Sequence, residues 1–302
     1  MTMPLILTQA DLGVALDILH TISTNEVLRI QMTQLIKNSL DGVITDYAFI
    51  VDVFPKFNII VSRPKDPNAR CSEGFPAHWI LFYYIIGEEK DVALLREMMS
   101  DNNVIDWTNN IEKRVYIYGM DESQAILNEV AERNGWQADS HLEAKAFSKA
   151  KVDISDAFIN LPSKKELKCS TLCLHEASIV RERWQHIHAA ETNMLKGIEY
   201  CIKHLPNVCL RTDDGEIVAH MLTAFTGEIL MLNVVESHRR LGLGTAVQLL
   251  LCKKILEHNG QPFWMVMANN EQSLKMNQKL EAKALDNGKT VYAYRYRHTK
   301  AS

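Results

Sequence analysis

Leu230-Met231-Leu232-Asn233-Val234-Val235-Glu236-Ser237-His238-Arg239-Arg240-Leu241-Gly242-Leu243-Gly244-Thr245-Ala246 is the stretch that decides how this chain is read. It begins as a continuous apolar run, as expected of a strand buried on both faces. It then turns polar, passes two closely spaced glycines and enters a segment with Val247, Leu250, Leu251 and Ile255 on one helical face. Lys253 and Lys254 suit the C-terminal end of that helix, Gly260 can cap it, and Pro262 follows. A strand, a glycine turn and a helix N-terminus together make an anion site. The first helical amides have no internal partners, and glycine lets a phosphate approach the backbone closely. Arg239 and Arg240 place formal positive charge just ahead of those amides.

The loop excludes two common phosphate sites. A Walker loop ends in Gly-Lys-Ser/Thr, which is missing here. A dinucleotide fingerprint needs a third glycine where Val247 stands. What remains is Arg239-x-x-Gly242-x-Gly244, set between a buried strand and an amphipathic helix. It resembles the loop with which the GCN5-related N-acetyltransferase (GNAT) superfamily holds the pyrophosphate of coenzyme A. The resemblance implies cofactor contacts at Leu232, Val234, Val235, Arg239, Arg240, Leu241, Gly242, Leu243, Gly244 and Thr245, and farther on at Asn270 and Ser273. The competing reading is an ordinary strand-to-helix turn with solvated arginines.

Length and composition bound the rest. A chain of 302 residues suggests two domains. Hydrophobic content of 47% with 23% charged residues describes a globular protein with ample core. A net charge of −4 gives no reason to expect nucleic acid or an anionic membrane as a partner. Cys169 and Cys173 are spaced C-x3-C without a matching second pair, so they read as free thiols and no metal site is expected. No uninterrupted apolar run is long enough to span a bilayer. No Lys or Arg precedes Arg29, while Asp11 and Asp17 do, so neither a secretory signal nor an Arg-rich transit peptide is expected. The expected location is cytoplasmic.

Along the first half, residues 9 to 38 read as two helices. Strands at 47–53 and 58–62 flank a tight turn at Phe54-Pro55-Lys56, and the loop 63–76 leads to an aromatic strand at 79–86. A helix at 92–99, a strand at 114–118, a helix at 123–133 capped by Asp121 or Ser123 and stopped by Gly135, and a strand at 142–148 follow. The second half repeats this order. Helices at 176–188 and 193–204 precede a hairpin turned by Thr212-Asp213-Asp214-Gly215, then the central strand and its helix. A strand at 263–267, parallel to the central one, leads to a helix capped by Asn269-Asn270, and 290–296 closes the sheet. The expected fold is therefore mixed α/β, GNAT-type: a mixed sheet flanked by helices in two tandem lobes. These are residues 1–150 and 170–302, joined by a linker at 151–169. The first lobe is degenerate, because Ile86-Gly87-Glu88-Glu89-Lys90-Asp91 offers one glycine and carboxylates that repel phosphate.

More narrowly, the chain resembles the glycine N-acyltransferase family. Four stretches carry the resemblance: residues 49–58 with Phe54-Pro55-Lys56-Phe57-Asn58, then Val104-Ile105-Asp106-Trp107, the 176–184 helix, and the run from the glycine loop to Asn270-Glu271-Gln272-Ser273-Leu274-Lys275-Met276. It implies transfer of an acyl group from acetyl-CoA or a longer acyl-CoA to the amine of a small molecule such as glycine or another amino acid, and it admits a mitochondrial location. A protein N-acetyltransferase and a non-catalytic acyl-CoA-binding protein are the alternatives. Whether the chain is a monomer or a homodimer stays open.

The chemistry sets its own demands. The amine must lose a proton, the thioester oxygen needs a donor, and the thiolate must leave. The resemblance implies a backbone amide near Val234 as that donor. The family's proposed base lies two residues before the loop arginine, where this chain has Ser237. Glu236, one position earlier, is the candidate base if a bulge restores its direction. His220 and His238 are the titratable alternatives. Many relatives carry a tyrosine acid where this chain has Asn277.

Overall fold

The computed structural model describes residues 4–65, 79–84, 89–108, 114–152, 167–184 and 194–299. The chain divides into two compact units. One gathers the described residues of Met1–Cys71, Ala77–Ala146 and Leu285–Ser302; the other gathers those of Phe147–Ala284.

The first unit starts with β1 (Leu5–Ile6) and α1 (Gln9–Thr21), whose N-terminus is closed by a Thr8–Asp11 capping box. Helix α2 (Glu26–Leu40) and strands β2 (Tyr47–Val51) and β3 (Ile59–Pro64) follow. The β2–β3 connection contains the Phe54–Pro55 turn, where the peptide bond is cis. Asp52 holds it together, its Oδ1 accepting the amides of Asn58 and Ile59 at 3.0 Å each. Next come β4 (Trp79–Tyr84), α3 (Glu89–Ser100), β5 (Arg114–Met120), α4 (Asp121–Arg133) and β6 (Trp136–Ser148). The glutamate-containing turn at 86–91 falls largely outside the described residues; α3 begins at Glu89. Strands β4 and β5 are parallel and pair at three registers, Trp79–Tyr116, Ile80–Ile117 and Leu81–Tyr118.

The last strand, Thr290–His298, lies between β5 and β6, antiparallel to both. The sequence reading places it at the edge of the second lobe. Its alternation identifies a strand but cannot say which sheet receives it. The aromatic face decides. Tyr294 and Tyr296 are buried, and Tyr296 meets Trp107 edge-on at 6.2 Å and donates to Asn128 Oδ1 at 2.9 Å. Trp107 in turn packs edge-on against Trp136 at 5.8 Å and donates its indole N–H to Met99 O. The Trp107 motif is therefore core of the first unit, and the chain's end completes it.

The C-terminal segment also caps α2. Its N-cap residue, Asn25, is left-handed and makes no side-chain cap. Asp286 supplies the missing acceptor, taking the amides of Glu26 at 2.7 Å and Val27 at 3.0 Å. Its own amide donates to Glu26 Oε2 at 3.3 Å, a capping box closed across the sequence. Asp286→Ala should cost about 1–2 kcal/mol, read as a lower urea midpoint of the full chain with an unchanged slope.

The second unit opens with β7 (Lys168–Ser170), a 3-10 turn at Leu174–Glu176, α5 (Ala177–Arg183) and α6 (Met194–His204). The linker residues 153–166, and 185–193 between the two helices, lie outside the described set. Strands β8 (Asn207–Arg211), β9 (Ile217–Thr223) and β10 (Ile229–Val234) join β7 in an antiparallel sheet in chain order. Helix α7 (Leu243–Glu257), β11 (Phe263–Met267), α8 (Glu271–Lys279) and β12 (Lys283–Ala284) complete it. One sheet face packs Leu210, Ala219, Met221 and Ile229 against Val247, Leu251 and Ile255 of α7. The other packs Cys209 and Leu222 against Val180, Ile198 and Ile202 of α5 and α6. Glu176 anchors the start of α5 by a bidentate pair with Arg211 at 2.6 and 2.8 Å, which holds its carboxyl below the usual range. Among the described residues no helix is long and apolar enough to cross a membrane.

Candidate functional site

Strand β10 is the edge of the antiparallel sheet. Its free side faces β11, and the two parallel strands join at a single bridge, Glu228 with Phe263. The equivalent pair in the first unit, β4 and β5, is zipped over three residues. Beyond the bridge, then, β10 presents an edge with no strand partner among the described residues. The strand is bulged: register with β9 is lost between Leu230 and Asn233, and Met231 has φ +57°. Pairing resumes at Asn233–His220 and Val234–Ala219. The Val235 amide then donates to Val218 O at 2.9 Å. Because backbone direction alternates along a strand, the N–H and C=O of Val234 point the other way, toward β11. Arg239 folds back over that edge and donates Nε to Val234 O at 3.2 Å. The rest of its guanidinium stays exposed beside the turn.

The turn itself runs through a 3-10 segment, Glu236–His238, then Arg240 at φ +63° and Gly242 at φ +81°. Gly242 has open space where a Cβ would go, so its role is conformational: the αL position before the helix. The first helical bond of α7 is Ala246 N–H to Gly242 O at 3.1 Å. The amides of Leu243, Gly244 and Thr245 therefore precede any acceptor inside the helix. Leu243 is buried and pins the turn to the core, while Leu241 is exposed. Gly244 lies close to Leu232, Val234 and the Met276 sulfur of α8. The fold thus brings together Leu232, Val234, Val235 and the run Arg239–Thr245. Asn270 caps α8, its Oδ1 accepting the Ser273 amide at 3.1 Å. Its own amide bonds Met267 O, so both residues stand at the end of β11 toward which β10 also runs.

The titratable candidates separate clearly. Glu236 is exposed in the 3-10 segment rather than within the notch strand. His238 shares a 2.9 Å hydrogen bond with Ser237 Oγ. His220 is 1% exposed, and among the described residues neither ring nitrogen has a hydrogen bond of normal geometry. Burial pushes its pKa down to about 4; Arg183's charge adds to this, and the Met231 backbone and Glu176 oppose it. At neutral pH it is an uncharged imidazole.

One carboxylate escaped the sequence reading. Glu228 sits at the closed end of the notch, on the bridge between β10 and β11. The residue as a whole is only partly buried, yet desolvation of its carboxyl pushes the pKa up to about 8. A hydrogen bond with the Met265 backbone opposes the shift without cancelling it. The available signal was a lone carboxylate opening an otherwise apolar strand. Asn277, which stands where many relatives have tyrosine, is 2% exposed and accepts the Trp264 indole N–H at 2.8 Å. It is part of the packing between α8 and β11. Among the described residues no group of three metal-ligating side chains occurs.

A bulged edge strand, a glycine turn onto a helix N-terminus and a parallel partner that splays away define the GNAT fold. A solved Drosophila protein matches the full length of both chains with a TM-score of 0.75 at 15% identity. A tandem GNAT protein from the clavulanic acid biosynthesis pathway matches 99% of each chain with a TM-score of 0.53 at 12% identity. Residues 208–291 match the FR47-like protein family. Glycine N-acyltransferase of Bos taurus is 22% identical over 248 residues, covering 76% of this chain and 79% of the relative. Human glycine N-acyltransferase-like protein 2 is 25% identical over 237 residues, covering 75% and 76%. The chain therefore has the GNAT fold, and it is similar to glycine N-acyltransferases over about three quarters of its length.

Proposed function

We propose that the chain is an acyl-CoA-dependent N-acyltransferase that acts on the amine of a small molecule, with Glu228 as the general base. One observation carries this reading: the unpaired edge of β10 runs from a desolvated carboxylate at its closed end to a set of free helix amides at its open end. A thioester arm laid along that edge finds backbone partners, and its pyrophosphate meets the amides of Leu243, Gly244 and Thr245 with Arg239 and Arg240 beside them. Glu228, directly or through one water, takes the ammonium proton of the acceptor. The neutral amine attacks the thioester carbon, and the Val234 N–H stabilises the oxygen that gains charge. Collapse breaks the C–S bond, the attacking nitrogen sheds its second proton to solvent to give the neutral amide, and the thiolate takes a proton from solvent because Asn277 cannot supply one. A pKa near 8 suits the task, since the base must be strong enough to accept a proton near neutral pH.

The test is thiol release from acetyl-, benzoyl- and longer acyl-CoAs against a panel of amino acids. Turnover with any pair supports the reading. Tight acyl-CoA binding without turnover would favour a binding protein instead. The zipped pair in the first unit leads to a further expectation: calorimetry of the full chain should give one coenzyme A per chain. A second equivalent would mean that β4 and β5 also open.

A further inference from the structure

We infer that Arg183, Asn233 and His220 form the subsite that reads the carboxylate of an amino-acid acceptor, a proposal that rests on the N-acyltransferase reading above. One face of the second unit's sheet is closed by α7, so an acceptor approaching the bulge must come over the face that carries α5 and α6. On that face a polar row crosses the apolar packing. Asn233 and His220 are register partners directly after the bulge, and Cys209 is the partner of His220 on the next strand. Asn233 Nδ2 donates to the carbonyl of Arg183 at 3.3 Å, which holds the C-terminal end of α5 over the row. The Arg183 side chain then runs along β9 and donates Nη1 to Ile217 O at 2.8 Å.

The row is rich in donors, and Asn233 and Arg183 each use one on a backbone carbonyl and keep others to spare. Among the described residues no carboxylate forms an ion pair with Arg183, which is partly buried. The nearby Glu176 is committed to Arg211 through both oxygens. His220 is almost wholly enclosed, and among the described residues its ring has a contact with the Met231 backbone but no hydrogen bond of normal geometry, an arrangement that costs free energy unless a ligand supplies one. A side-chain amide and a neutral imidazole N–H directly after the strand bulge, with a guanidinium farther along β9 that has donors to spare, match a carboxylate attached close to the reacting amine. An amine without that carboxylate leaves the spare donors unpaired, so discrimination comes from the loss as much as from the gain.

The experiment compares kcat/KM for amino acids with kcat/KM for their α-amides, using glycine, serine, asparagine and glutamine with a fixed acyl-CoA. The ratio of acid to amide is then measured in the wild type, Arg183→Met and Arg183→Lys. Comparing ratios removes the difference in amine basicity, which the variants share. Loss of one charge-assisted contact should lower the ratio about 30-fold in Arg183→Met, mainly through KM of the acid, with partial recovery in Arg183→Lys. An Arg183→Met ratio within about twofold of wild type overturns the subsite while leaving the acyltransferase reading intact. So does a wild type that prefers the amides. A wild type inert toward every acceptor fails one step earlier, at the proposed function, and removes this inference with it. Circular dichroism of each variant identifies a folding failure, and in that case Asn233→Leu replaces it, with the same ratio as readout and the same result overturning the subsite.

Discussion

Glu228→Gln is expected to lower kcat/KM by roughly 10²–10⁴-fold at neutral pH, the usual contribution of a positioned general base, with little change in acyl-CoA affinity. The amide has nearly the shape of the carboxyl and keeps the packing at the bridge, so the loss reports proton transfer rather than collapse of the notch. The pH dependence gives a second signature. With the Glu228 carboxyl titrating at about 8, wild-type kcat/KM per neutral amine should climb as pH rises through that value, and the climb should vanish in the variant. A third readout is stability, and its sign is fixed by linkage. The folded pKa of about 8 lies above the ordinary 4.5, so the folded state holds a proton that the unfolded chain has released. This contribution is complete below the unfolded pKa and is lost as pH rises through the folded one. Wild type should therefore lose melting temperature relative to Glu228→Gln between about pH 5 and about pH 8. If Glu228→Gln keeps full turnover while Glu236→Gln loses it, the base returns to the exposed turn. If His220→Asn is the variant that loses turnover, the neutral imidazole is the base.

Gly244→Val is expected to weaken coenzyme A binding about 100-fold or more while the domain still folds. A Cβ at this position would meet Leu232 and Val234 at 3.7 and 3.8 Å and the Met276 sulfur at 3.8 Å, which is ordinary contact. Alanine therefore fits, and Gly244→Ala should lose far less. The two γ-methyls of valine have to spread beyond that contact, into the space between β10 and α8 or over the free amides of α7. Either way the approach to the amides of Leu243, Gly244 and Thr245 closes. Calorimetric titration of both variants with coenzyme A distinguishes this from a stability effect: a glycine needed only for folding would lower the melting temperature and leave the affinity of the folded fraction unchanged. Equal affinity in wild type and Gly244→Val would mean that the pyrophosphate is held elsewhere.

The local pattern of residues determined a good deal of this protein by itself. An apolar run followed by Arg239-x-x-Gly242-x-Gly244 and an amphipathic segment is enough to specify a strand, an αL turn and a helix with free amides. Each of these is a short-range property, set by backbone freedom at glycine and by helical periodicity. The same holds for the Thr212–Gly215 hairpin turn, closed by the Gly215 amide on Thr212 O, and for the Asn270 cap. What tertiary structure alone decided is which distant groups share an environment. The period of 290–298 marks a strand, but its insertion between β5 and β6 depends on the aromatic slot beside Trp107, far away in sequence. The capping of α2 by Asp286 is equally invisible in a local reading. The proposal of Glu228 rather than Glu236 as base rests on the same kind of information. Glu236 and Glu228 are both lone carboxylates flanking one strand, and spacing from the loop arginine points to the first. Only the fold leaves the first exposed in a turn and desolvates the second at the bridge between two splaying strands, because desolvation is a property of the whole surrounding volume rather than of chain neighbours.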